Sequence, residues 1–552
     1  MFSGFFRRPR KLSEIAAEGP STEEKYSGNL KEAVKRLKEG LAKANDIVIR
    51  EFKVGPGGGV PAVLVFAQAL VDKRLIDQDI IMPLRRASLW KDAEDVTRVD
   101  FSSAQSIRDH VLDANDVKAE EKWMQLVEAV MIGDTVLLVD GADQGLIIDT
   151  KGFEHRTVDQ TNTESSTRGS QEGFAETLMV NIGLIRRRLR DENLRIKLMK
   201  IGRRSRTDVA LCHIEGVCNP KVPKTVEDRI KAIESDEILD DAAISAYLRD
   251  DPFTLFPLIR PTERPDFAVR EMMQGKMVVV VGNAPTVLIL PATINDFYRT
   301  TDDYVHTFWE ATVIRWIRLV AGVISVLVLP LYVALTAFHP ELIPTDLALA
   351  ISGSREGVPF PEIIEVGIME VIAEILRESI LRLPKVMGVT IGVVGGLVLG
   401  QAAVQAKIVT DLMLIAIALT VLSNLTAPSI EVATAWRIIR WIFILAAGFL
   451  GLYGIVLAGL VLLAHLSTLT SFGVPYLAPH SPFRWEGQMD GLIRAPLPAL
   501  TRRPSIYRPP DQRRRKGYRQ PDDEVELSPV TGPGEAAAER TGAEADNEEG
   551  GR

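Results

Sequence analysis

The chain has 552 residues, 46% of them hydrophobic and 25% charged, with a formal net charge of −8. That length exceeds one ordinary domain, and the apolar share is high for a soluble protein yet too low for one that lies in lipid throughout. Nothing in the charge balance points to nucleic acid, and two cysteines cannot supply the four ligands of a structural zinc site.

Residues 1–45 read as a charged arm with a helical patch from Leu30 to Leu41, and the opening MFSGFFRRPRKLSE has no apolar core long enough for a secretory signal. A first α/β subdomain is expected over 46–150. It opens with a strand, Ile47 to Val54, followed by Pro56-Gly57-Gly58-Gly59. No Lys-Ser/Thr pair follows those glycines, so they read as a turn between strands rather than a phosphate loop. Gln68 to Met131 carries a helical pattern, and TVLLVDGADQGLIIDT reads as a hairpin turning at Asp140 to Asp143.

A second subdomain is expected over 151–310. Phe174, Leu178, Ile182 and Ile185 repeat at helical spacing, and the basic run Arg186 to Arg190 closes that helix, where positive charge suits the dipole. TDVALCHIEGV reads as a buried strand, with Cys212 and Cys218 as buried thiols in a reducing compartment. TVEDRIKAIESDEIL reads as a helix capped by Thr225 with Asp228 reaching back, and KMVVVVGNAPTVLILP as a hairpin turning at Gly282 to Pro285.

Uncharged apolar runs are confined to Leu319–Leu466, so residues 311–470 are expected to form a transmembrane helical domain. The fold class is therefore a two-lobed α/β (α+β) cytosolic N-terminal domain followed by four to five spans. Arg315 and Arg318 stand at the entrance of a first span ending near Phe338. Val386–Ala406, Ile408–Ala427 and Trp441–Leu466 would follow. Asp411, Asn424 and Pro428 mark polar positions at the edges of the third span. Positive charge before the first span and in the tail keeps both ends inside, which favours four spans plus an interfacial or re-entrant acidic helix. Residues 471–552, basic around Arg502 to Arg519 and then acidic, read as a disordered tail.

Two patterns carry chemistry. Glu370, Glu374 and Glu378 recur every four residues and form one row on a helix whose opposite side is expected to hold Ile364, Ile368, Val371, Ile372 and Ile375. Such carboxylates need water or partners, and Arg377 and Arg382 stand at pairing distance; the row is the candidate ion path. After Leu383-Pro384, Gly388, Gly392, Gly396 and Gly400 repeat at the same spacing, the pattern of a helix-packing seam in lipid. The sequence shows no Walker loop, HExxH helix or nucleophile elbow, so no enzyme and no cofactor is expected.

The stretches TESSTRGSQEGFAETLMVNIGLIRRRL, FPLIRPTERPD, VPFPEIIEVGIMEVIAEILRES and RLPKVMGVTIGVVGGLVLGQAAVQA together closely resemble the A subunit of GerA-type germinant receptors of bacterial endospores. A paralogue encoded with the SpoVA proteins shares those landmarks. The resemblance implies an integral protein of the spore's inner membrane with a cytoplasmic N-terminal domain. It would assemble as a homo-oligomeric ring, act as a nutrient-gated cation channel that triggers germination, and work with a permease-like B subunit and a lipoprotein C subunit. A secondary transporter and a non-conducting membrane scaffold for those partners are the competing readings. The tail beyond Pro479 is longer than the family pattern.

Overall fold

The computed structural model describes residues 25–41, 43–55, 59–87, 100–114, 116–152, 164, 168–382, 395–396 and 398–514. Its N-terminal half is one plan used twice. The first sheet holds β1 (Ile47–Val54), β2 (Val60–Ala67), β3 (Val117–Glu120), β4 (Thr135–Val139) and β5 (Gly145–Ile148) in the order β1-β2-β4-β5-β3. The second holds β6 (Leu194–Ile201), β7 (Thr207–Ile214), β8 (Arg260–Thr262), β9 (Met277–Val281) and β10 (Val287–Leu290) in the order β6-β7-β9-β10-β8. All neighbouring strands are antiparallel. In both, a hairpin, a helical insert, a short edge strand, a crossing helix and a second hairpin follow one another along the chain.

Both faces of each sheet are covered, which is why β2 and β9 are apolar at every position. On β2, Val63 and Val65 pack with Leu30 and Leu37 of α1 (Leu30–Gly40) and with Leu126 and Val130 of α2 (Trp123–Ile132), while Leu64 and Phe66 face Ile80 and Ile107. On β9, Val278 and Val280 meet Ile182 and Ile185 of α3 (Leu178–Arg188) and Phe267 and Met272 of α4 (Pro265–Met273), while Val279 and Val281 meet Val226 and Leu248. The hairpins expected at Asp140 and Gly282 are present. The Pro56–Gly59 turn lies between paired strands, although residues 56–58 fall outside the described ones.

Several expectations change. Residues 25–41 are not a loose arm, because Leu30, Ala33 and Leu37 at helical spacing bury against the first sheet. β3 interrupts the helical reading of 68–131; with the charged sequence VKAE and an edge position it carries no apolar alternation to betray it. Phe174 precedes its helix rather than belonging to it. Thr225 is not an N-cap: the helix starts earlier, at Lys221, and the Thr225 hydroxyl donates to the Lys221 carbonyl inside it. Cys212 and Cys218 are buried free thiols, as expected, and burial pushes the Cys218 thiol up to about 12.

The C-terminal half is a bundle of helical legs standing on the second sheet's lobe. α5 (Phe308–Ala337) rises from the sheet end, α6 (Glu362–Leu381) descends, residues 398–405 rise, and α7 (Asp411–Leu425) descends. These directions follow from contacts. At the distal end Glu365 reaches Thr410 and Lys407 Nζ donates to the Glu356 carbonyl, whereas Glu374 meets Arg437 nearer the sheets. α8 (Ile430–Thr468) contains one non-helical residue, Gly451 (φ 59°, ψ −141°). Drawn straight, the 29 residues from Trp436 to His465 would span about 44 Å, yet both rings lie within 6.5 Å of Phe256. α8 is therefore a hairpin of two legs, 430–450 and 452–468, that turns at Gly451. The expected span 441–466 straddles that turn, and the acidic helix expected at an interface packs against the other legs along one side, burying Glu365, Val366 and Glu370. The stretch 386–394 is outside the described residues.

Gly451 sits where only glycine is comfortable, and a Cβ there would stand 3.0 Å from both His339 Nε2 and Phe338 Cβ. Gly451→Ala is expected to cost about 1–3 kcal/mol. An unshifted thermal unfolding midpoint of the detergent-solubilised protein would remove this account of the turn.

Residues 471–514, expected as part of a disordered tail, fold back onto the sheet end. Ser471 donates to the Leu258 carbonyl, Arg503 to the Met273 carbonyl, and Asp511 N–H to the Gly216 carbonyl. Their arginines bind backbone carbonyls and aromatic faces, which charge counting along the sequence cannot anticipate. Residues 515–552 lie outside the described ones.

Candidate functional site in the helical bundle

α6 carries charge down the bundle in tiers. At the distal end buried Glu365 accepts from the Thr410 backbone N–H (2.6 Å), the Thr410 hydroxyl (2.9 Å) and Arg355 Nη1 (2.9 Å). In the middle, Glu370 is buried against Arg440, whose Nε donates at 2.9 Å and whose Nη1 donates to the Ser325 carbonyl at 3.0 Å. Towards the sheets Glu374, 49% exposed, accepts from Arg377 at 2.9 Å and Arg437 at 3.0 Å. Glu378, 60% exposed, pairs with Arg382 at 2.6 Å.

The expected row thus divides. Glu370 faces inward and is held, because a carboxylate and a guanidinium buried among apolar legs tolerate that position only as a pair. Val371 and Ile375 do not lie opposite the carboxylates as expected: each stands three residues before Glu374 or Glu378, on the same side of a helix, and both are exposed with them on the outer face of α6. The glycine seam also divides. Gly396 is exposed with nothing within 4 Å of where a Cβ would stand, whereas at Gly400 that atom would lie 3.1 Å from Leu414 Cδ1. Gly388 and Gly392 are outside the described residues. Asp411 is exposed at the start of α7, and Asn424 donates weakly to the Ala433 carbonyl (3.4 Å), which fits the packing role of an amide between legs.

A second cluster joins the bundle to the second sheet's lobe, and neither its partners nor its location was legible from spacing. Asp303 accepts from Arg315 Nε (2.9 Å) and Arg318 Nη1 (2.8 Å), while Asp490 accepts from the Tyr304 hydroxyl (2.9 Å) and lies 3.4 Å from Arg315. Deeper in the lobe, Asp296 lies 2.8 Å from Lys276 and accepts from the Tyr507 hydroxyl at 3.2 Å, and Lys276 also pairs with Glu271. Burial pushes the Asp296 carboxyl up, but the Lys276 and Arg299 charges outweigh it and hold it down at about 2. Burial and the Asp490 charge raise the Tyr304 phenol to about 12. Arg315 and Arg318, read as cations at a span entrance, are therefore part of the joint between bundle and lobe. The basic run at the end of α3 is likewise spent internally: Arg186 is buried against Asp46 of the first lobe, and Arg187 and Arg188 pair with Glu172. Among the described residues no group of His, Cys, Asp and Glu could hold a metal ion.

Twin antiparallel α+β lobes fused to an apolar helical bundle that carries buried ion pairs define the class of chain. It belongs to the GerA family of spore germination proteins: the sequence profile described as Bacillus/Clostridium GerA spore germination protein matches residues 35–506. Spore germination protein KA of Bacillus subtilis (strain 168) is 38% identical over 496 residues, 90% of each chain. Spore germination protein GerLA of Bacillus cereus is 35% identical over 484 residues, 88% of this chain and 96% of that one. The crystal structure of the N-terminal domain of the A subunit of the Bacillus megaterium spore germinant receptor GerK3 aligns at 30% identity, covering 49% of this chain and 98% of that one, with a TM-score of 0.38. Family membership ties the chain to spore germination.

Proposed function

We propose that the chain is the A subunit of a germinant receptor. It sits in the spore's inner membrane with its lobes in the cytoplasm, and identical copies form a ring that conducts cations when the receptor senses nutrient. A permease-like B subunit and a lipoprotein C subunit complete the receptor. The observation that carries this reading is the outer face of α6. Two helices, Phe308–Ala337 and Ile430–Thr468, are long and apolar enough to cross a membrane, and α6 packs among the legs they form. Glu374 and Glu378 nevertheless point out of the protomer. Carboxylates at that depth cannot face hydrocarbon, so the face adjoins water, and a ring of copies supplies a hollow for it. A ring of carboxylates attracts cations to the extent that Arg377, Arg382 and Arg437 leave it unpaired. With α8 counted as two legs, six legs cross, and both ends remain on the lobe side. Glu370 serves as the internal brace of the lining helix.

Gly396 tests the assembly. Because a Cβ at Gly396 meets no atom of the described residues within 4 Å, Gly396→Leu should leave the protomer folded while blocking close approach of a second copy. The expected result is loss of the oligomer on cross-linking in membranes, with germination delayed. Intact oligomers in that variant would remove Gly396 from the seam.

A further inference from the structure

A cavity of about 510 Å³ opens sideways between α5 and the second leg of α8, where the bundle meets the lobe. Its volume falls within the range of small-ligand sites, roughly 300–1,000 Å³. The walls are apolar, formed by Trp316, Leu319, Val326, Phe443, Gly459 and Leu462. Trp316, Leu319 and nearby Val323 are exposed, so the mouth looks outward from the protomer.

The floor is polar. Asn295, 9% exposed, lines it; its Oδ1 faces His480 Nε2 at 2.9 Å, but its Nδ2 donors have no partner among the described residues. An amide left unpaired in such a place keeps the full cost of its desolvation, and an acceptor entering the cavity would relieve that. Arg299 and Arg315 also line the floor. Just behind them Arg270 and Arg494 stack on Tyr304, at 4.0 and 4.7 Å, rather than pairing with carboxylates. Arg299 pairs with Asp296 and Asp490, and Arg315 with Asp303 and Asp490, so the positive charge at the floor comes from Arg270 and Arg494, at the level where a bilayer's headgroups would meet a bundle seated as proposed above.

We propose that this cavity is a binding site for an acidic membrane phospholipid, one acyl chain lying between α5 and α8 and the glycerol–phosphate oxygens meeting Asn295 and the arginine floor. The idea rests on the reading that the bundle lies in a bilayer. It places a lipid against the joint that links the lobe to the legs, because Arg315 belongs to both cavity and joint.

Gly459 supplies the test. It lines the cavity, and a Cβ added there meets no atom of the described residues within 4 Å, so the side chain of Gly459→Leu starts in open space and takes up part of the cavity. The purified full-length chain is incubated in detergent with phosphatidylglycerol or phosphatidylcholine, and retained lipid is counted by native mass spectrometry. The wild type should retain phosphatidylglycerol in preference to phosphatidylcholine, and Gly459→Leu should lower that retention at least tenfold. Equal retention by the two proteins, or no preference between the lipids, overturns the proposal. As a check independent of that variant, phosphatidylglycerol with brominated chains should quench Trp436, which also lines the cavity, beyond the level seen in Trp436→Phe; equal quenching also overturns it. Flotation with liposomes tells the outcomes apart, since a chain that floats but shows neither effect refutes the lipid site alone, whereas one that does not float refutes the membrane reading.

Discussion

Replacing Glu370 by Leu is expected to destabilise the bundle by about 3–5 kcal/mol, because it leaves Arg440 buried without its counter-charge. Arg440 would keep only the Ser325 carbonyl as an acceptor, at 3.0 Å, in surroundings formed by the legs. The cost should appear as a lower unfolding midpoint of the purified chain and less folded protein in the membrane. The paired variant Glu370→Leu/Arg440→Met should recover most of it, since removing both charges removes the penalty with the attraction. A paired variant as unstable as the single one would show that Glu370 acts elsewhere, for instance on a conduction route, and not as a brace.

Asp296→Ala should have the second large effect, again about 3–5 kcal/mol for a broken buried pair, and it should act on the joint. Asp296 is fully buried, pairs with Lys276 and Arg299, closes a capping box with Thr293 and holds the Tyr507 hydroxyl. Its removal frees the segment that carries Arg502, Arg503 and Arg508, so limited trypsin digestion should cut there at least tenfold faster. Unchanged cleavage would mean that the segment is held by other contacts. The wild-type contribution is insensitive to mild acid. Asp296 titrates at about 2 when folded, below the ordinary carboxylate range near 4. Its stabilisation is therefore present above pH 4 and is lost only as pH falls through about 2.

What could be read along the chain was what is decided locally. The two hairpins announce themselves through β-favouring runs around Asp-Gly and Gly-Asn, and α6 through its repeating carboxylates. The resemblance to the germination proteins lay in four stretches taken together, not in any single residue. What escaped was decided by distant partners. Arg440 stands in WRIIRWIFIL, where a cation among apolar residues signals a need for a partner, but the partner is 70 residues earlier. Gly451 is one of several glycines in LAAGFLGLYGIVLAGL, and only its conformation marks the turn that makes two legs of one run. The charged edge strand β3 and the packed segment 471–514 hide for the opposite reason: their polar residues look solvated until the carbonyls and rings they meet are known.

The central claim is that the outer face of α6 lines a cation route. Its most direct test is the current through planar bilayers holding the reconstituted receptor, wild type against Glu374→Gln/Glu378→Gln, with nutrient added. The account predicts a nutrient-dependent cation current in the wild type and, at equal protein, a several-fold smaller and less cation-selective one in the double variant. A current unchanged in size and selectivity, or none from the wild-type receptor, would contradict it.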